Sequence, residues 1–332
     1  MATLVTGCAG YIGSITSKLL LEAGEEVIGI DNLSRNSKEN IPEELKFYQA
    51  CISDTVMLEK IFQEHDIKNV MHFAAYIEVA ESTAKPELYR ENNYEKSIKF
   101  INKLLELNLK NFVFSSTAAV YGNPGKSSAL KEDDEKSPIN PYGKYKLEVE
   151  NYLYGVSRKT DFNYVALRYF NVVGAYGRFG EYHDPETHLL PIVIDSLLGK
   201  RPNIKIFGTD YDTPDGSAVR DYIHVVDLGQ AHINVLELFK NNETDKLNQA
   251  YNLGYNKGFS VLEIVNAVEK VSGKKLDVEH ADRRPGDPAT LLANNQKAIN
   301  AGFFKPKKDS IEEIIKDAYE HRSKHFYHEQ VC

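Results

Sequence analysis

Short apolar runs alternate with amphipathic stretches through the first half of the chain. Runs at residues 3–5, 26–30, 45–49, 69–72, 111–114 and 164–167 predict strands. Apolar residues at helical spacing predict helices over 12–23, 55–64, 94–107 and 142–157. Strands that alternate with helices call for a parallel sheet covered on both faces, so the predicted class is α/β with a doubly wound sheet. After Asn171 the pattern changes. Loops rich in Gly, Pro, Tyr and Asp, at 174–183 and 209–216, replace the regular alternation and read as binding loops.

Composition narrows the classes. A chain of 332 residues can bury a large core and form two lobes. Its net charge of −8 argues against a general nucleic-acid surface, and Lys305-Pro306-Lys307-Lys308 reads as a solvated turn. No apolar stretch reaches the length of a membrane span. The first residues run directly into Leu4-Val5-Thr6-Gly7 without a charged and apolar leader, so no signal peptide is expected. Cys8, Cys51 and Cys332 are scattered and odd in number. They fit reduced thiols in the cytoplasm, and their spacing offers no metal site.

Where the first strand gives way to the first helix stands Thr6-Gly7-Cys8-Ala9-Gly10-Tyr11-Ile12-Gly13. Gly7 suits a tight turn, Gly10 a close backbone approach to pyrophosphate, and Gly13 close helix–strand packing. The helix N-terminus adds oriented N–H groups for the anion. Asp31, at the end of the second strand, is placed to accept ribose hydroxyls and to repel a 2′-phosphate. The expected cofactor is NAD rather than NADP, although Arg35 is close by.

Asn140-Pro141-Tyr142-Gly143-Lys144-Tyr145-Lys146 opens a helix with a good N-cap and a proline at its first position. Tyr142 and Lys146, four apart, share one face. A nearby cation favours the tyrosinate, and moving a phenol from about 10 to about 7 takes roughly 4 kcal/mol. Such a base would suit proton removal from an alcohol. With 20 tyrosines and 40 Lys+Arg, about two Tyr-x-x-x-Lys/Arg pairs arise by chance at helical spacing, so the pair alone is weak evidence.

Further motifs carry a resemblance. They include His72-Phe73-Ala74-Ala75, Ser115-Ser116-Thr117-Ala118-Ala119-Val120-Tyr121-Gly122, Arg168-Tyr169-Phe170-Asn171, Val219-Arg220-Asp221-Tyr222-Ile223-His224-Val225 and Arg283-Arg284-Pro285-Gly286-Asp287. With the glycine and tyrosine–lysine motifs, the chain resembles the extended short-chain dehydrogenase/reductase family from Val5 to about Ala298. Within it, the chain is most similar to members that epimerise nucleotide sugars.

The resemblance implies a Rossmann-type NAD-binding domain over residues 1–175, to which segments near 222–240 and 251–254 return. A smaller C-terminal α/β lobe over 176–332 would bind the nucleotide-sugar. NAD contacts would fall on Gly7, Gly10, Tyr11, Ile12, Gly13, Asp31, Asn32, Leu33, Ser34, Arg35, Asn36, Cys51, Ile52, Phe73, Ala74, Ala75, Tyr76, Ile77, Asn92, Tyr142, Lys146 and Phe170. Cys51 and Ile77 stand where an acid and a lysine are common in the family, which weakens cofactor retention without altering the chemistry. UDP-sugar contacts would fall on Thr117, Tyr142, Asn171, His188, Leu189, Phe207, Arg220, Arg284, Asp287 and Leu291. His188 replaces a usual asparagine, and a neutral imidazole there keeps one donor contact.

The implied activity is interconversion of UDP-glucose and UDP-galactose with NAD, in which Tyr142 acts as base, supported by Lys146 and Thr117. Ala118 and Ala119 stand where related dehydratases carry an acidic pair, which argues for redox chemistry alone. The implied assembly is a homodimer, with Leu104, Leu105, Leu153 and Tyr154 as interface candidates. Alternatives remain open for individual residues. Thr117 also suits a backbone-satisfied strand end, and Arg220 and Arg284 also suit salt bridges to Asp221 and Asp287. A different nucleotide sugar (UDP-N-acetylglucosamine, UDP-glucuronate or a UDP-pentose) or a non-catalytic NAD-sensing module would also fit.

Overall fold

The computed structural model describes residues 1–125, 129–183, 185–284 and 287–331, the last seven for backbone alone. Cys332 and the Pro285-Gly286 pair lie outside the described residues. Seven strands form the central sheet: β1 (Ala2–Thr6), β2 (Glu26–Asp31), β3 (Lys46–Gln49), β4 (Ile67–His72), β5 (Asn111–Thr117), β6 (Asn163–Tyr169) and β7 (Gln249–Leu253). Their spatial order is β7-β6-β5-β4-β1-β2-β3, and every pairing is parallel. Helices α1 (Tyr11–Glu22), α2 (Thr55–Glu64), α3 (Lys96–Glu106), α4 (Pro141–Ser157) and α5 (Val225–Lys240) pack around it. The α/β expectation holds, and all six predicted strands are present.

Neighbouring residues of each strand supply opposite faces, as the pleat requires. Val5, Met71, Val113 and Val165 join Leu228 and Val235 of α5 in one core. Leu4, Val70, Phe112 and Phe114 join Phe100 of α3 and Val149 of α4 in the other. Both faces are dry, which is why these strands read as near-continuous apolar runs. Leu104 and Leu153 are fully buried in the second core, so they belong to their own sheet rather than to an interface. Tyr154, by contrast, is 56% exposed.

Two departures from the sequence pattern shape the cleft above the sheet. Strand β5 runs three residues past its apolar stretch, through Ser115 and Ser116 to Thr117, because its ladder with β6 continues to Tyr169. Ahead of α3, residues Arg90–Glu95 form a π-helical turn rather than plain α-helix. Such turns are rare, and they recur at functional sites.

The second lobe has its own core, where helices Leu189–Leu197, Val261–Ser272 and Ile311–Val331 pack around strand Ile204–Phe207. Strand Val219–His224 crosses between the layers, and its first half pairs with Gly258–Ser260 and Thr290–Leu291. Its second half pairs with Asn171–Val173 before His224 caps α5.

Candidate active site

The strand order reverses between β1 and β4, and in such sheets ligands bind at the carboxyl ends flanking that reversal. The glycine turn occupies this crevice. Gly7 has φ +70°, and a Cβ there would lie 2.7 Å from the Ala74 nitrogen, so no other residue fits. Gly10 caps α1 with no side chain bonded to the first-turn N–H groups, which leaves them oriented into the crevice. Asp31 is buried and accepts from the Ala9 and Leu33 N–H groups at 3.1 and 2.8 Å. Its carboxylate is thus fixed beside the turn.

Arg35 is committed elsewhere. Its guanidinium makes a fork to both oxygens of Glu81, at 2.8 and 3.0 Å, and stacks 4.6 Å over Tyr76. An arginine so engaged is poorly placed to neutralise a 2′-phosphate, so the residues fit NAD. The 73–77 stretch follows β4 along the same edge, and Asn93 holds it there. The Asn93 carboxamide accepts from Tyr76 N–H at 2.9 Å and donates to its carbonyl at 2.8 Å, while Asn92 donates to Asn93. Asn93 carries no signal in the sequence pattern. The π-helical turn that aims it at Tyr76 leaves no periodic signal.

Along β5 the crevice meets the tyrosine. Thr117, at the last position of β5, accepts from Ala119 N–H at 3.1 Å and lies close enough to the Tyr142 phenol to favour its ionised form. Asn140 caps α4 by accepting from Gly143 N–H at 2.8 Å. Lys146, one turn on, is buried and donates to the Ser115 carbonyl at 2.6 Å. The three predicted catalytic residues are therefore neighbours, each on a rigid element.

Their electrostatics differ from the sequence expectation. Burial pushes the Tyr142 phenol up to about 12, the Thr117 hydrogen bond opposes it, and the Glu78 carboxylate adds to the rise. Burial drives Lys146 down to about 7 against the attraction of Glu150. The lysine is thus not a fixed full charge at neutral pH, and by itself it does not depress the tyrosine. Behind it, Glu150 pairs with buried Arg168 at 3.0 and 2.6 Å and accepts from Ser116, which braces α4 against β5 and β6.

The predicted substrate-lobe residues are held by contacts of their own. Arg284 stacks 4.0 Å over Phe207, and Arg220 pairs with Asp287. Asp221 is not their partner. It is fully buried and accepts from the N–H groups of Tyr255, Asn256 and Ala293 at 2.7, 2.9 and 3.0 Å, tying three segments together. Asn171 donates to the Asp221 carbonyl at 2.9 Å. Leu291 sits beside Arg220 in the short strand ladder and packs against the cluster that contains Ala118 and Phe170. His188 is not the neutral imidazole expected: burial lowers it, but Glu181 and Glu186 outweigh burial and push it up to about 10. Glu78, passed over in the sequence, accepts from the Thr187 hydroxyl across the cleft.

Comparison with known proteins agrees with this layout. The profile of the NAD dependent epimerase/dehydratase family matches residues 3–254. The UDP-glucose 4-epimerase of Halalkalibacterium halodurans is 44% identical over 98% of this chain and 96% of its own. The Brucella ovis UDP-glucose 4-epimerase, solved with NAD, superposes with a TM-score of 0.91 at 36% identity, over 97% of this chain and 98% of that one. The Bifidobacterium longum enzyme, solved with NAD+ and UDP, gives 0.88 at 35% identity over 98% of each chain.

Proposed function

The chain belongs to the NAD-dependent epimerase/dehydratase family, and from that premise we propose that it interconverts UDP-glucose and UDP-galactose by inverting C4 of the hexose. NAD is its cofactor. The observation that carries the reading is the contact of Thr117 with Tyr142, with Lys146 one turn behind and with alanines, not acids, at 118 and 119. A dehydratase needs a proton donor and acceptor next to that threonine, and Ala118 and Ala119 supply neither.

The first-turn N–H groups of α1 hold the pyrophosphate, and Asp31 takes the adenosine ribose hydroxyls. When bound, NAD would supply the redox partner for transient oxidation at C4. Tyr142 takes the C4 hydroxyl proton and gives it back, while the Thr117 hydroxyl bonds the reacting oxygen. Lys146 would hold the nicotinamide ribose, and its ammonium form would gain from the anionic ligands that bind beside it. Each unit by which the phenol comes down from about 12 corresponds to about 1.4 kcal/mol, so ligand binding has substantial electrostatic work to do. Arg220 and Arg284 hold the diphosphate by charge-assisted bonds, with Asn171, His188, Leu189, Phe207 and Asp287 around the nucleotide-sugar.

Residues 1–175, with the returning segments, serve the cofactor, and the remainder serves the sugar nucleotide. The scattered thiols suit a cytoplasmic setting, and among the described residues no helix is long and apolar enough to cross a membrane. The exposed Tyr154 on α4 supports a homodimer, although Leu105 packs against the second core, and the assembly is to be read from the mass by light scattering. Incubation with UDP-galactose alone, with no added NAD, tests the activity. UDP-glucose should accumulate to equilibrium, whereas no conversion of any UDP-hexose would favour an NAD-sensing module.

A further inference from the structure

Outside the reacting centre, the 181–188 loop gathers four side chains of metal-ligating type. It runs between strand Phe179–Gly180 and helix Leu189–Leu197. The Nδ1 atom of His188 lies 3.0 Å from Glu181 Oε1 and 3.4 Å from Glu186 Oε1. The Nδ1 atom of His183 lies 3.6 and 3.9 Å from the same two oxygens. All four ligand atoms lie within 4.8 Å of one another. A tetrahedral ion with bonds of 2.0–2.1 Å has ligand–ligand edges of about 3.3 Å, near the lower end of those separations, so the four atoms would draw in slightly around it.

Both imidazole Nδ1 atoms and Glu186 Oε2 are buried, and none makes a well-aligned hydrogen bond. Buried polar atoms left in that condition are uncommon and call for a cause. Two imidazoles and two carboxylates drawn together within 4.8 Å form a set that a cation would complete. The surroundings resemble a metal's outer shell. Glu186 Oε1 accepts from the N–H groups of Thr187 and His188 at 3.0 and 3.1 Å. Arg322 stands 3.4 Å from Glu186 Oε2 and donates to the Glu181 carbonyl at 2.8 Å. Such contacts fix ligand orientation.

We propose that Glu181, His183, Glu186 and His188 form a four-ligand site for one Zn2+ ion. Two imidazoles and two carboxylates suit an ion of borderline softness and compensate its double charge. The ion pins the 181–188 loop to the start of helix Leu189–Leu197. The site is independent of cysteine, which is why cysteine spacing does not reveal it.

The test uses the full, tag-free chain, stripped with EDTA, reloaded with ZnCl2 and desalted, with bound zinc measured by mass spectrometry. The wild type should retain about one zinc per chain, and His183→Ala and Glu186→Gln should lose most of it while keeping the far-ultraviolet circular dichroism of the wild type. No retained zinc in the wild type, or equal retention in all three proteins, overturns the proposal. Should the variants fail to fold, Co2+ loading of the wild type decides. An intense visible spectrum of tetrahedral Co2+ without thiolate charge transfer supports the site, whereas a weak octahedral spectrum or a thiolate band overturns it. Neither readout depends on turnover, so the zinc site and the epimerase reading fail separately.

Discussion

Gly143 packs so closely on Ala119 that a Cβ at residue 143 would lie 2.5 Å from the Ala119 carbonyl oxygen. This contact seats the first turn of α4 on the end of β5, and it brings Tyr142 to Thr117. Gly143→Ala should lift the helix start by a fraction of an ångström to an ångström, enough to cost about 10²-fold in kcat. Steady-state kinetics checks this, with KM for UDP-galactose and the melting temperature moving far less than kcat. A kcat within twofold of wild type would mean that the contact does not set the tyrosine's position.

Tyr142→Phe removes the hydroxyl proposed to take the C4 proton and leaves the ring packing intact. Turnover should fall by about 10³-fold or more, in the range that general acid–base groups supply. Bound NAD, measured by release after denaturation, should match the wild type. Near-normal turnover would assign the base to another group.

Much of this was legible because local chemistry and tertiary need agree in the nucleotide half. The Thr55–Glu64 helix matches its expected bounds to the residue, since Asp54 caps it by accepting from Met57 N–H at 3.0 Å and Leu58 and Ile61 face the core. Thr117 was readable by motif but not by pattern, because β5 ends in polar residues held by ladder hydrogen bonds rather than by apolar burial. The second lobe wrote little into local sequence. Strand Thr290–Leu291 exists only through its pairing with Val219 and Arg220, 71 residues away in register, and two residues carry no period. The charge states were not legible either. A lysine next to a tyrosine predicts attraction, and only burial shows that desolvation drives Lys146 down and Tyr142 up.

Lys146 makes the cofactor-free protein pH-sensitive in a defined direction. Its native value, about 7, lies below the ordinary 10.5 of an unfolded lysine, so between those limits the unfolded chain holds more protons. Stability therefore rises with pH through that window, and burying the ammonium costs most at pH 7 and below. Lys146→Met in the cofactor-stripped protein should be more stable than wild type at pH 6 by on the order of 1–3 kcal/mol. The gap should close towards pH 10. Urea midpoints at pH 6, 8 and 10 check it, and a gap that widened with pH would contradict the assignment.

Leu291 is half-buried against the Ala118 and Phe170 cluster, and on the proposed reading its apolar, medium-sized side chain lines the sugar pocket. Steric discrimination of this kind is worth about 1–3 kcal/mol, so UDP-glucose and UDP-galactose should be preferred and UDP-N-acetylglucosamine turned over slowly. Leu291→Tyr should suppress the acetylated substrate about tenfold or more while sparing the plain hexoses. Parallel kcat/KM measurements on the two substrates check it, and equal loss on both would remove Leu291 from the gate.

The central claim is that C4 is inverted by transient oxidation with bound NAD, not by exchange of a proton with water. UDP-galactose carrying deuterium at C4, converted to equilibrium in ordinary water, tests it most directly. The deuterium should remain at C4 of the UDP-glucose formed, with no hydrogen gained from solvent. Loss of the label to water would contradict the account.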